Sequence, residues 1–245
     1  MSPNFARVRD WVFDLDNTLY PAASTIYADV EVRMTRYIMR ALELDAAAAA
    51  ALRERYFLRY GATVAGLARH HGVDAGDFLA DVHDVALDDL APDHELNALI
   101  ARLPGRKIVF TNGGGNYPER VLMRLGLAAL MTQVCDIQSA GLAAKPEREA
   151  YARLVAQCDL DPFRCVLVED TPRNLAPAHE LGFVTVLVGA AHREPRPAYV
   201  DYWARDLKSF LRKIERQYGP PAPRRPARRL PAGAPAVHNR AHDPY

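Results

Sequence analysis

Trp11-Val12-Phe13-Asp14-Leu15-Asp16-Asn17-Thr18-Leu19 is the stretch that decides the fold. Three bulky β-formers in a row read as a short strand buried on both faces. Side chains alternate along an extended chain, so Asp14 and Asp16 point the same way while Leu15 faces the opposite side, into apolar packing. Two carboxylates therefore emerge together at the carboxyl end of a buried strand. Taken alone, this pair is equally consistent with a solvated turn or a helix cap.

Four further apolar runs, at residues 107–111, 134–137, 165–168 and 184–188, read as parallel strands beside residues 11–14. Helical patterns separate them. Leu96, Leu99, Ile100 and Leu103 form an i, i+3, i+4, i+7 stripe. Asn116 is expected to cap a helix with Glu119 answering it, and Gly126 to stop that helix. Pro146 is expected in the first turn of a helix that continues through Tyr151, Leu154, Val155 and Cys158, and Gly182 ends another. Alternating strands and helices predict an α/β fold, a Rossmann-like parallel sheet with right-handed crossovers.

The interval between the first two strands breaks this rhythm. Residues 20–92 contain no convincing strand but show helical stretches near 27–42, 46–60, 62–71 and 77–90, with Asp45 as an N-cap. One crossover needs far fewer residues, so a small helical domain is expected to be inserted there. The expected organisation is a catalytic core of residues 1–19 and 93–218, an inserted cap of residues 20–92, and a disordered tail of residues 219–245. That tail is rich in proline and holds Arg224, Arg225, Arg228 and Arg229 with almost no aliphatic periodicity. It reads as a solvated extension, with a contact for nucleic acid or an acidic partner as the alternative.

Polar clusters follow four of the strands. Thr111-Asn112-Gly113 offers a hydroxyl and glycine-permitted backbone N–H groups, suited to phosphate oxygens. Lys145-Pro146-Glu147 places an ammonium where it would offset carboxylate and phosphate charge. Glu169-Asp170 adds two acids fit for a hard cation such as Mg²⁺, and Asn174 would orient Lys145 or a metal ligand. Each cluster has an ordinary alternative, in a turn, a surface lysine or a cap. Four of them in order at four strand ends are improbable by chance. Gly113-Gly114-Gly115 is not a dinucleotide fingerprint, because Pro118 takes the third glycine's place, and no G-x-x-x-x-G-K-[ST] exists.

Composition narrows the class. A net charge of +1 over 245 residues provides no field that selects nucleic acid or membrane. The longest bland apolar stretch, residues 46–52, is too short to span a bilayer, and residues 1–10 carry no signal core. A cytoplasmic location follows as an expectation. Cys135, Cys158 and Cys165 lack zinc-type pairing and are expected as buried free thiols.

The four clusters resemble the motifs of the haloacid dehalogenase (HAD) superfamily in its phosphatase branch. The matching residues are Asp14-Leu15-Asp16-Asn17-Thr18, Thr111-Asn112-Gly113, Lys145-Pro146 and Glu169-Asp170, and the likeness covers residues 10 to about 215. More narrowly, Asp16-Asn17-Thr18-Leu19-Tyr20-Pro21, Tyr60-Gly61-Ala62-Thr63 with Gly66-Leu67, and Val82-His83 are similar to the pyrimidine 5′-nucleotidase group. The resemblance implies a HAD-like core with a helical cap and an Mg²⁺-dependent phosphomonoesterase. Asp14 would be the nucleophile and Asp16 the acid and base. Thr111, the Asn112 amide, Gly113 and Lys145 would hold the phosphate. Asp14, the Asp16 backbone carbonyl and Asp170 would hold the metal, with Glu169 helping through water. Position 169 departs from relatives that carry Gly or Asp. Asp16 favours phosphoryl chemistry, since dehalogenase members lack it.

The resemblance further implies a nucleoside 5′-monophosphate, UMP or CMP, contacted by Tyr20, Tyr60 and His83 from the cap and Arg173 from the core. Packing in the cap and a surface ion pair are the ordinary readings of these four. Sugar phosphates, pyridoxal phosphate, a phosphomutase reaction and a non-catalytic binding role are the alternatives. A monomer or small homo-oligomer, with a small-molecule partner and no nucleic acid or membrane, is expected.

Overall fold

In the computed structural model, residues 5–21, 25–189 and 196–218 are described. The expected tail at residues 219–245 lies outside them. The Trp11-Val12-Phe13 run forms β1 (Asp10–Phe13), the middle of one parallel sheet. Its neighbours are β2 (Arg106–Phe110) and β4 (Cys165–Glu169). Beyond them lie β3 (Gln133–Cys135), β5 (Val184–Val188) and β6 (Tyr202–Ala204), giving the order β3-β2-β1-β4-β5-β6. The chain builds outward from β1 on one side, then crosses it to start β4. That reversal makes the carboxyl end of β1 a topological switch point, where ligands bind in open α/β sheets.

Alternation along β1 feeds two apolar layers. Trp11 and Phe13 pack with Val109, Val166 and Val168 under α5 (His94–Arg102), α6 (Tyr117–Arg124) and α9 (Leu207–Tyr218). Val12 packs on the other face with Ile108, Phe110 and Leu167, against α7 (Arg148–Cys158) and α8 (Pro172–Leu181). Both faces are covered, as a parallel sheet requires. The Leu96, Leu99, Ile100 and Leu103 stripe is buried as its spacing predicts. Gly182 closes α8 at φ +103°. The three cysteines are buried free thiols, with the Cys135 and Cys158 sulfurs 3.2 Å apart.

Four helices stand between β1 and α5: α1 (Ile26–Leu42), α2 (Ala46–Tyr60), α3 (Thr63–His71) and α4 (Ala75–Val82). They share their own apolar cluster, including Ile38, Leu52, Leu67 and Phe78, into which Ile137 and Ala144 reach from the sheet side. Asp45 caps α2 by accepting from Ala48 N at 2.8 Å. The fold is therefore a Rossmann-like α/β core carrying a small helical cap.

Several local expectations need correction. The helix expected over 77–90 ends at Val82. Beyond it the carbonyls of His83 and Val85 accept from the Arg120 guanidinium, and that of Leu87 accepts from Arg124. Backbone partners supplied by α6 replace those a helix would have supplied. Asn116 makes no side-chain cap to α6. Pro146 precedes α7 rather than opening it, and the Lys145–Pro146 peptide is cis. The strand expected over 134–137 stops at Cys135, and Ile137 N instead donates to Gly113 O. Strand β6 was not expected, because Tyr202-Trp203-Ala204 is too short a run between polar residues to read as a strand. Among the described residues no helix is long and apolar enough to cross a membrane.

Asp93 joins α5 to α9. Its carboxylate accepts from Glu95 N and Leu96 N as an N-cap and pairs with Lys208. The Lys208 hydrogen bond, opposed by partial burial and helped by Leu96 N–H, holds this carboxyl below the usual range. A depressed pKa contributes stability above the unfolded value and loses it as pH falls through the folded value. Asp93→Ala is expected to cost about 1 kcal/mol at pH 7, the ordinary worth of such a cap. That penalty should shrink below about pH 4, where the unfolded aspartate protonates. Urea unfolding of both proteins at pH 7 and pH 3 checks this, and an undiminished penalty in acid would exclude the charge.

Candidate active site

A charged lysine lies buried at the switch point. Lys145 is 2% exposed. Its Nζ donates to Asp14 Oδ1 at 2.5 Å, to Glu169 Oε2 at 2.8 Å and to the Phe110 carbonyl at 2.9 Å. All three ammonium donors are thereby used, as a buried ammonium demands. Asp14 comes from the end of β1, Glu169 from the end of β4, and Phe110 from the end of β2. Residues far apart in sequence meet because three parallel strands finish on one side.

The charges do not balance within the protein. Burial pushes Asp14 up to about 7, with Glu169 adding to the rise and Lys145 opposing it. Burial likewise raises Glu169 to about 7, against the Lys145 charge. Burial works to lower Lys145, but the charges of Asp14 and Glu169 outweigh it and hold the ammonium protonated. Asp170 is also raised, by burial and then by the charge of Asp14. One ammonium thus faces three carboxylates. Asp14, Glu169 and Asp170 each bring an oxygen within 4.8 Å of the others. The Asn174 side-chain oxygen nearby is buried without a partner among the described residues. Surplus negative charge and an all-oxygen donor set fit a hard divalent cation such as Mg²⁺. Both Glu169 oxygens are already engaged, one by Lys145 and the other by Thr171 N at 3.1 Å, which leaves Asp14 and Asp170 the freer ligands.

The second motif makes its side-chain hydrogen bonds within the protein. Thr111 Oγ1 is buried and accepts from Gly113 N at 2.9 Å. The Asn112 side chain does not face a ligand freely. Its oxygen accepts from Lys145 N at 2.8 Å, and its amide donates to the carbonyls of Lys145 at 3.1 Å and Gly61 at 3.3 Å. Asn112 therefore clamps the lysine loop to the sheet and to the C-terminus of α2. Gly61 ends that helix at φ +76°, where a Cβ would lie 2.1 Å from the Lys145 carbonyl oxygen. Glycine is required there on both counts. Asn174 does not orient Lys145 as expected. Its backbone carbonyl accepts from the Tyr151 hydroxyl.

Asp16 stands at the rim of the cavity with its Oδ1 accepting from the hydroxyls of Tyr20 and Tyr117, each at 2.6 Å. Burial, then the Asp16 charge, pushes both phenols far above their ordinary range, so they remain donors. A cavity of about 370 Å³ opens above these groups, between the cap helices and the strand ends. Asp14, Asn112, Gly113, Lys145, Glu169 and Asp170 line its floor. His83 and Arg173 line it too, as do Tyr27, Arg53 and Phe57. Of the four residues expected to select substrate, Tyr20 and Tyr60 do not line the cavity. Tyr20 is turned to Asp16, and the Tyr60 hydroxyl bonds His70 Nε2 at 2.5 Å. His83 stacks on Tyr117 with ring centroids 4.5 Å apart, and Arg173 lies over the Phe57 ring at 4.5 Å, bridging core and cap. Tyr117 was not singled out in the sequence. Its signal was position alone, just after the strand-end cluster Thr111-Asn112-Gly113.

Removing the ammonium would leave two buried carboxylates facing each other. Lys145→Met is expected to cost about 3–5 kcal/mol in EDTA, the scale for breaking a buried ion pair. Denaturant unfolding measures it. A loss below 1 kcal/mol would mean the carboxylates take up protons or water at little cost.

Comparison with known proteins agrees with this geometry. The family model described as haloacid dehalogenase-like hydrolase matches residues 11–182. "Phosphate metabolism protein 8" of Saccharomyces cerevisiae is 26% identical over 193 residues, which make up 71% of this chain and 60% of the yeast protein. This chain thus spans less than two thirds of that relative's length. Among solved structures, a HAD phosphatase from Thermococcus onnurineus aligns with TM-score 0.56 at 16% identity, over 87% of this chain and 99% of its own. The HAD-hydrolase YfnB of Bacillus subtilis, described as bound to magnesium, aligns at 0.54 and 13% identity, over 86% and 98%. An L-2-haloacid dehalogenase of Xanthobacter autotrophicus with chloropropionic acid covalently bound aligns at 0.52 and 17%, over 85% and 98%. At such identities the structures share a fold and no more. The family match covers well over half the chain, with the four strand-end motifs inside it or at its border, and this protein belongs to the haloacid dehalogenase-like hydrolases.

Proposed function

We propose that this hydrolase is a phosphomonoesterase that works through an aspartyl-phosphate on Asp14, with a pyrimidine nucleoside 5′-monophosphate as its substrate. The observation that carries the reaction class is the buried Lys145 bonded to both Asp14 and Glu169, beside Asp170 and below Asp16. A carboxylate meeting a phosphate dianion needs positive charge at the point of attack, and the Lys145 ammonium places one cation there. Mg²⁺ held by Asp14, Asp170 and the Asp16 carbonyl would supply the remaining neutralisation of attacking and transferring oxygens.

The chain's own residues divide the work. Lys145 holds Asp14 Oδ1, which leaves the second oxygen for phosphorus. The Thr111 hydroxyl lies against Gly113 N, and the Asn112 and Gly113 backbone forms the floor on which phosphoryl oxygens rest. As the ester P–O bond breaks, Asp16 gives its proton to the leaving oxygen. It then takes a proton from the water that attacks the aspartyl-phosphate, returning Asp14 as carboxylate and releasing phosphate.

The leaving group would sit under the cap. There Tyr27, Phe57 and His83 provide flat ring surfaces, and Arg53 is paired with Glu31 at 3.5 Å. Rings suit a nucleobase, and a cation already paired within the protein does not call for a second phosphate. These features support a neutral, planar leaving group over a bisphosphate.

The test is phosphate release from UMP, CMP, sugar phosphates and pyridoxal phosphate, each with Mg²⁺ and with EDTA. Selective release from UMP or CMP that stops in EDTA is expected. Broad release would remove the nucleotide claim and keep the phosphatase. Isomerisation of a sugar phosphate without net release would point to a phosphomutase. Asp14→Asn should abolish turnover in a protein that stays folded, and retained turnover would overturn the covalent route. Asp16→Asn should slow turnover by about 10²–10⁴-fold, the range of acid–base assistance.

A further inference from the structure

We propose that Tyr20 and Tyr117 are positioning residues for Asp16, together holding one carboxylate oxygen so that the other faces the leaving group with the proton. This inference rests on the phosphatase reading above. Both phenols donate to the same atom, Asp16 Oδ1, at 2.6 Å, and their own oxygens are 3.1 Å apart. Among the described residues no other hydrogen bond reaches the Asp16 side chain. With two donors on Oδ1, that oxygen acts as acceptor only. The acid proton is then confined to Oδ2, the oxygen left to the cavity that Asp16 lines.

The two tyrosines reach Asp16 from independent supports. Tyr20 lies four residues beyond Asp16 in the turn that follows β1, 3% exposed and packed in the core cluster with Leu19 and Ile26. It does not line the cavity, so it acts only through Asp16. Tyr117 opens α6, 101 residues after Asp16, and is 2% exposed. The His83 ring stacks on its face at an interplanar angle of 11°, and the His83 carbonyl is tied to α6 by Arg120. Gly113 closes the other approach, since a Cβ there would lie 3.1 Å from the Tyr117 ring. A carboxylate side chain at a cavity rim otherwise rotates among staggered states. Two anchored donors select one of them, which is the geometric precondition for proton transfer. The step stays balanced: the Oδ2 proton passes to the leaving oxygen as phosphorus moves to Asp14, and Oδ2 regains a proton from the hydrolytic water.

Tyr20→Phe, Tyr117→Phe and the double variant test this on two substrates. One is the best alkyl phosphate found in the release screen. The other is p-nitrophenyl phosphate, whose leaving group departs without a proton. On the alkyl ester kcat should fall about 10-fold for each single variant and up to about 10²-fold for the double, within the range of acid assistance. KM should stay unchanged, and single-turnover nitrophenolate release should stay at the wild-type rate. Equal losses on both substrates would mean the hydroxyls serve packing alone, and no loss on either would mean Asp16 needs no holding. Crystal structures of the wild type and the double variant add a readout free of turnover. The Asp16 carboxylate should leave its place in the variant, and an unmoved carboxylate would overturn the proposal. Should the wild type hydrolyse neither ester with Mg²⁺, the phosphatase reading would fall, while the crystal comparison would still decide whether the tyrosines hold Asp16.

Discussion

A single ammonium buried between two carboxylates is the constraint on which this structure turns. Lys145 loses its hydration at the switch point and regains three partners, Asp14, Glu169 and the Phe110 carbonyl. Those partners stand at the ends of three different strands, so the ion cluster forms only when β2, β1 and β4 lie side by side in that order. An isolated buried charge is too costly to persist. The same contacts that make the lysine tolerable therefore select the strand arrangement that makes the site.

The loop that carries Lys145 is fixed on its outer side by the cap. Asn112 joins the Lys145 backbone to Gly61, and the glycine's missing side chain lets the end of α2 press on the lysine carbonyl. Arg173 over Phe57 is a second link across the cavity, and the carbonyls that follow α4 hang on Arg120 and Arg124 of α6. The helical cap is thus bonded to the catalytic floor at several points rather than laid over it. Residues that stabilise the cap and residues that shape the cavity are in part the same residues.

Surplus negative charge at the floor and neutral phenols at the rim divide the electrostatics of the site. Clusters of this kind lower stability, because each carboxylate is held away from water. They are found where a reaction uses the charge. Around Asp16 the protein uses uncharged donors instead, so the carboxylate is oriented without adding a cation to a floor whose balance is set by Lys145 and its acids.

Much of this was legible before any coordinates. The Trp-Val-Phe run, its acids at i and i+2, and the spacing of the later strands determined the sheet, the end at which chemistry is gathered, and the interval that holds the helical cap, because burial periodicity and strand alternation are local properties. Asp14, Asp16, Thr111, Lys145, Glu169 and Asp170 stood out because four polar clusters follow four apolar runs in order, although each cluster alone has an ordinary reading. What the local sequence did not contain was the partner of each group. That Glu169 faces Lys145, that the Asn112 side chain holds the lysine loop, that Tyr20 turns to Asp16 and away from the cavity, and that Tyr117 joins it from 101 residues away all depend on which strands are neighbours. The end of α4 at Val82 and the short edge strand β6 depend on it too, since their hydrogen-bond partners come from α6 and β5. Sequence determines where a chain can bury its apolar side chains, and the tertiary structure decides which polar groups must then satisfy one another.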